Sequence, residues 1–184
     1  DTSNEVLAVA VEKKGTVVVE KMTNVKGGQT PRLMPAIVDA MELAELEPEQ
    51  LDEIIVGRGP GSYTGIRVGV TTAKTMAWGL GIPIIPVSSL GALAYNARLY
   101  NGYVMPFFNA RRQAMFTSLY KFSEGKFSVV IEETYVPFSK WKETLEQFSN
   151  EKIVCISPHL DVFQEQLETE LEGRVFLPPK EAHL

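Results

Sequence analysis

The residues able to do chemistry fall in a few short runs of this 184-residue sequence. The least ordinary is Arg58-Gly59-Pro60-Gly61-Ser62-Tyr63-Thr64-Gly65-Ile66-Arg67, where special-backbone residues lead into Ser62, a natural cap for a following helix. A helix start behind a glycine-rich turn can hold an anion, so a phosphate cradle is the first chemistry to weigh. The run lacks the Lys-Ser/Thr that a P-loop places after its second glycine, and Ser62 stands where a dinucleotide fingerprint needs its last glycine. Nor is Ser62 the centre of a Gly-x-Ser-x-Gly elbow, and no histidine lies near it in sequence to activate it. Capping explains it with fewer assumptions. The two histidines, His159 and His183, have no second ligand at helical spacing, so no histidine metal site is expected, and His159 reads as a surface residue opening a helix. Cys155 sits in an apolar run and reads as core; a single cysteine excludes an intrachain disulfide and suits a reducing compartment. Arg111 and Arg112 open a strand, where they either face a cleft between lobes or pair with Glu132 or Glu133.

The elements that must position these residues follow an α/β pattern. Apolar runs at 6–11 and 16–20, separated by Lys13-Lys14-Gly15, predict a hairpin, and a third extended stretch is expected near 21–25. Pro31 suits the first turn of a helix reaching about Ala44, with Leu33, Ile37, Ala40, Met41 and Ala44 as its apolar stripe. A strand at 53–57, a long helix at 63–80, a strand at 83–87 and a helix capped by Ser88 complete the first half. The second half predicts strands near 103–108, 113–122 and 126–135, a helix at 139–148, a strand at 152–156, a helix at 160–171 and a strand at 174–177. The order strand-strand-strand-helix-strand-helix-strand thus occurs twice, which predicts two α/β lobes, residues 1–100 and 101–184, divided near Leu99-Asn101. That order resembles the actin-like ATPase fold, in which each lobe carries a ribonuclease-H-like sheet.

The charge balance, 18 basic against 23 acidic residues for a net −5, disfavours a free-standing nucleic-acid binder. No apolar run approaches a bilayer span, and a cytoplasmic location is expected. The chain opens on Asp1 without methionine and stops at Leu184 without a closing element, so further segments at both ends are expected.

A helical docking face is a second candidate site. Gly65, Gly69, Ala73 and Ala77 form a small-residue face that packs either within its own lobe or on another chain. Arg67, Thr71 and Lys74 form a polar stripe beside it, and Met34, Val38 and Met41 give the earlier helix an adaptable apolar edge.

Asp1-Thr2-Ser3-Asn4, Arg32-Leu33-Met34-Pro35-Ala36-Ile37, the run from Gly59 to Gly69, and Val87-Ser88-Ser89-Leu90 resemble, in order and spacing, the successive motifs of the TsaB (YeaZ) family. The resemblance is strong over residues 1–95 and looser beyond, where Asn109-Ala110-Arg111-Arg112 resembles the family's Asp-Ala-Arg segment with Asn109 in place of the acid. It implies a two-lobed actin-like protein, a non-catalytic relative of the TsaD subunit that transfers a threonylcarbamoyl group to the adenosine beside the anticodon of tRNA. The family's partners would be a TsaD-type catalytic subunit and a TsaE-type ATPase, or a second copy of the chain, with tRNA reached mainly through the complex. No cofactor of its own is implied; ATP and a metal ion would belong to the partner. The interface implied lies on helices 32–46 and 62–79, with Leu33, Met34, Ile37, Met41, Tyr63, Ile66, Arg67, Val70 and Lys74 as contact candidates. Asp1, Thr2 and Ser3 would be a degenerate phosphate loop, lacking the glycine that lets backbone approach a phosphate. Two other functions stay open: an independent ATP-binding enzyme of the actin-like class, or a homodimer with an unrelated regulatory role.

Overall fold

The computed structural model describes residues 1–24, 29–171 and 173–178. The chain forms two compact units, Asp1–Ser89 and Leu90–Leu184.

In the first unit the Lys14-Gly15 turn, with both residues at positive φ, joins β1 (Val6–Lys13) to β2 (Thr16–Asn24) as an antiparallel hairpin. The third strand expected near 21–25 does not form separately: β2 runs unbroken to Asn24, which pairs with Val6, and Val25 lies outside the described residues. A continuous partner for every residue of β1 satisfies the backbone better than a break would. Helix α1 (Gln29–Leu43) packs Ala40, Met41 and Ala44 against Val11 of the hairpin. Strand β3 (Ile54–Gly57), helix α2 (Tyr63–Leu80) and strand β4 (Ile84–Val87) form a β-α-β unit, with β3 and β4 parallel. Gly81 ends α2 in the left-handed region at φ 68°, where glycine avoids the Cβ penalty.

The second unit follows the expected order. Strands β5 (Gly102–Asn109), β6 (Ala114–Ser123), β7 (Lys126–Pro137), β8 (Ile153–Ile156) and β9 (Val175–Phe176) make one sheet, ordered β7-β6-β5-β8-β9. Both faces are covered. Met105, Phe107, Met115, Leu119, Ile153 and Cys155 point into a core closed by α4 (Phe138–Leu145) and α5 (Leu160–Glu170) through Trp141, Leu145, Phe163 and Leu167. Val104, Phe108, Tyr120, Phe122, Val154 and Ile156 face the other way onto Leu90, Leu93 and Ala94 of α3 (Ser89–Ala94). The alternation along β5 and β8 is that of strands buried on both sides. Helix α3 therefore belongs to the second sheet's core, and the units divide at Ser89/Leu90, not near Leu99-Asn101. The polar stretch at 99–101 marks only the approach to β5. The β6–β7 pairing carries register shifts on either side of Leu119.

Cys155 is fully buried, and burial drives its thiol pKa well above the ordinary range by penalising the thiolate. The native protein is therefore expected to resist a thiol-exchange reagent at pH 8 and to react once per chain after denaturation. The shift also fixes a sign. Above about pH 8.5 the unfolded thiol ionises while the native one keeps its proton, so this group's contribution to stability falls as pH rises. Urea midpoints for wild type and Cys155→Ala between pH 7 and 10 should show a steeper decline for wild type.

Candidate functional site

Helix α2 carries two opposed faces, and their residues settle which is available. Ser62 caps the helix, its Oγ accepting from Gly65 N–H at 3.3 Å. Gly65, Gly69, Ala73 and Ala77, each one turn apart, are all buried in their own unit. The reason is the segment Thr2-Ser3, which lies across the start of the helix. A Cβ on Gly65 would overlap the carbonyl oxygen of Thr2, and one on Gly69 would meet Thr2 Oγ1 at 2.6 Å. Thr2 Oγ1 donates to Gly65 O at 2.7 Å, and Ser62 N–H donates to Ser3 O at 2.6 Å. The small-residue face is thus the seat of the chain's first residues and is not open to another chain.

The opposite face is open. Tyr63 is 78% exposed and Trp78 87%, with exposed Arg67, Thr71 and Lys74 between them at three- and four-residue spacing. On α1, Met34 (46% exposed) and Val38 stand one turn apart and unburied. Between the two helices lies an open groove of about 370 Å3 lined by Thr30, Leu33, Met34, Tyr63, Thr64, Arg67, Val68, Thr71 and Thr72. The lining mixes apolar side chains with four threonines, and among the described lining residues Arg67 is the cation.

Of the sequence-predicted contacts, Met34, Tyr63, Arg67 and Lys74 are exposed, while Ile37, Ile66 and Val70 are half-buried. Leu33 and Met41 are buried in this chain, at 5% and 9% exposure, on the inward stripe of α1 with Ala40, and Leu33 also lines the groove. The sequence reading missed Trp78, although its spacing of four from Lys74 and fifteen from Tyr63 places it on the same face.

Asp1, Thr2 and Ser3 have internal partners. The Asp1 carboxylate accepts from Ser3 N–H at 2.5 Å and from Ser89 Oγ at 2.8 Å, and a Cβ on Gly57 would overlap it. Ser3 Oγ is buried without a partner among the described residues, but the amides beside it, of Ser3 and Ser62, are already used. This arrangement does not fit a phosphate group, which needs several free donors.

At the second unit's β5–β6 connection, Arg111, Arg112 and Gln113 take φ values of 65°, 51° and 57°, three successive left-handed residues with side chains. Each costs on the order of 1–3 kcal/mol. The turn is held by Asn109 Oδ1 accepting from Arg111 N–H (2.8 Å), Ala110 N–H to Ala114 O (2.9 Å), and Phe138 N–H to Gln113 O (3.0 Å). The arginines occupy a turn, not a strand, and neither pairs with Glu132 or Glu133: those residues lie along β7, near where Thr134 pairs with Thr117, well past the turn. The His159 side chain does not cap α5; its Nδ1 accepts from Asn109 N–H at 3.4 Å. His183 lies outside the described residues. Among the described residues no group of His, Cys, Asp and Glu side chains is placed to hold a metal, and no helix is long and apolar enough to cross a membrane.

The fold is of the actin-like ATPase class. The family model for TsaD, tRNA N6-adenosine threonylcarbamoyltransferase, matches residues 28–166. Two Pseudomonas aeruginosa crystal structures share the architecture: one described by its similarity to peptidase YeaZ (TM-score 0.77, 23% identity, covering 90% of this chain and 76% of that one), the other YeaZ itself (TM-score 0.74, 22% identity, 90% and 76%). The tRNA threonylcarbamoyladenosine biosynthesis protein TsaB of Bacillus subtilis is 36% identical over 183 residues, covering 100% of this chain and 80% of the relative. The TsaB of Escherichia coli is 33% identical over 102 residues, 55% of this chain and 44% of that protein. The chain belongs to the TsaB family.

Gly65→Ala tests the seat of Thr2. An unhindered glycine in a helix gains about 0.5–1 kcal/mol on becoming alanine, whereas forced overlap with a backbone atom costs about 1–3 kcal/mol. Chemical denaturation should find Gly65→Ala destabilised and Gly79→Ala, whose Cβ would meet nothing within 4 Å, stabilised. Equal and positive effects would remove the close approach from this account.

Proposed function

We propose that this chain is a non-catalytic scaffold and activator in the biosynthesis of threonylcarbamoyladenosine in tRNA, docking through α1 and α2 onto a TsaD-type catalytic subunit that carries the ATP and metal ion. The observation carrying this reading is the open face of Met34, Val38, Tyr63, Arg67, Lys74 and Trp78 around the α1–α2 groove. Two large aromatic side chains left in water on one helix are costly to solvate and typical of interface anchors. Arg67 sits between them, with the fork geometry that suits a partner's carboxylate. The closed seating of Asp1-Thr2-Ser3 supports the assignment of nucleotide to the partner, and a TsaE-type ATPase joins the same assembly. The work is placed in the cytoplasm, where tRNA is modified.

Light scattering on the full chain mixed with its TsaD-type subunit should give a heterodimer mass. Tyr63→Asp with Trp78→Asp, both at exposed positions, should weaken association by roughly 100-fold or more while leaving the unfolding midpoint unchanged. A second copy on the same face would appear as a homodimer mass that the same variants abolish. If wild type fails to associate with the catalytic subunit under any nucleotide or metal condition, the scaffold reading is overturned.

A further inference from the structure

We propose that the Asn109–Gln113 turn of the second unit is an RNA contact, with Arg111 and Arg112 on backbone phosphate and Tyr135 beside them as a stacking platform for a base. The inference rests on the tRNA role proposed above but uses a different unit from the docking face.

Two guanidiniums stand on consecutive exposed residues, and among the described residues no carboxylate lies within 4 Å of either. Position 109 is a neutral asparagine, and its Oδ1 is spent on Arg111 N–H, so the turn holds no acid to offset the pair. The amides of Arg112 and Gln113 have no acceptor among the described residues, adding two N–H donors at the same tip. The hydrogen bonds of the turn hold the left-handed backbone in place, so little ordering is left to be done on binding. Asparagine or glycine would take these φ values with less strain; the sequence keeps arginine there instead. Lys140 follows at the start of α4, whose first amide donates to Gln113 O.

RNA is favoured over a protein carboxylate by what lies next to the turn. Tyr135 pairs in register with Phe116, two residues past the start of β6 and roughly 7 Å of strand away, and it is 56% exposed with its ring 5.6 Å from that of Phe116. Exposed cations on an ordered turn, with an exposed aromatic two strand residues along, match the pairing of phosphate contact and base stacking found in sequence-tolerant single-strand binding. A chain of net charge −5 cannot hold RNA by its overall field, so a local contact of this kind is what the charge balance leaves.

The test uses the full chain with its TsaD-type subunit and a fluorescein-labelled unmodified tRNA transcript, titrated by anisotropy at several salt concentrations. The pair Arg111→Gln and Arg112→Gln should leave the heterodimer mass unchanged, weaken tRNA binding roughly tenfold near 0.1 M salt, and lower the slope of log affinity against log salt by about 1 to 2. Arg111→Lys with Arg112→Lys should restore the slope. Tyr135→Leu should weaken binding about fivefold or more with the slope unchanged, since stacking is not ionic. Unfolding midpoints equal to wild type exclude a folding defect. Unchanged affinity and slope would overturn the proposal. So would loss of the heterodimer by the glutamine variants with an unchanged slope, which would make the occupant a protein carboxylate. If wild type forms no heterodimer, the scaffold reading falls by itself; the same titrations on the chain alone then decide the contact by the same slope criterion.

Discussion

The approach of one carbonyl to one helix governs the first unit. Thr2 O lies where a side chain at Gly65 would begin, and that contact is possible only because α2 presents hydrogen instead of a methyl group. Around it the seat is completed by Thr2 Oγ1 on Gly65 O, by Ser62 N–H on Ser3 O, and by the Asp1 carboxylate on Ser3 N–H and Ser89 Oγ. Asp1 also exchanges backbone hydrogen bonds with Ala8, so the same three-residue stretch ties β1 to the start of α2. With one face of α2 committed to this seat, its aromatic and cationic residues are left on the other. The exposed face is thus a by-product of how the small residues are used.

The two units hold themselves together differently. The second buries apolar side chains on both faces of a five-stranded sheet, with Trp141 donating its indole N–H to Met105 Sδ at 2.8 Å inside the larger core. The first has a small cluster around Val11, Ala40, Met41 and Ala44, further buried side chains such as Leu7, Leu33 and Val56, and a close backbone approach at α2. Close approach depends on van der Waals contact and hydrogen bonds more than on buried apolar area, so it tolerates volume changes poorly.

Much of this was legible beforehand. The extent of α2 follows from Ser62 at one end and Gly81 at the other, both strong local signals, and the seven elements from β5 to β9 follow from hydrophobic period and turn residues. The burial of Cys155 follows from its apolar run. Other features depended on contacts distant in sequence. Whether Gly65 and Gly69 faced inward or outward turned on Thr2, more than sixty residues away, which no period reveals. The phase of α1 puts Leu33 and Met41 inside, and a stripe shared between core and partner cannot be divided without knowing where β1 lies. The left-handed turn at Arg111–Gln113 contains no glycine to announce it, and the division at Ser89/Leu90 depends on which sheet α3 covers.

Strand β7 is twelve residues long and, among the described residues, pairs with β6 on one side only. A straight edge of that length, carrying Val129 and Val130, would template the addition of further strands from neighbouring molecules. The register shifts flanking Leu119 break its regularity midway, and the adjacent Glu132 and Glu133 place like charges where an incoming copy would have to align. The irregular pairing therefore makes this edge a poorer template for added strands than a regular ladder of the same length would be.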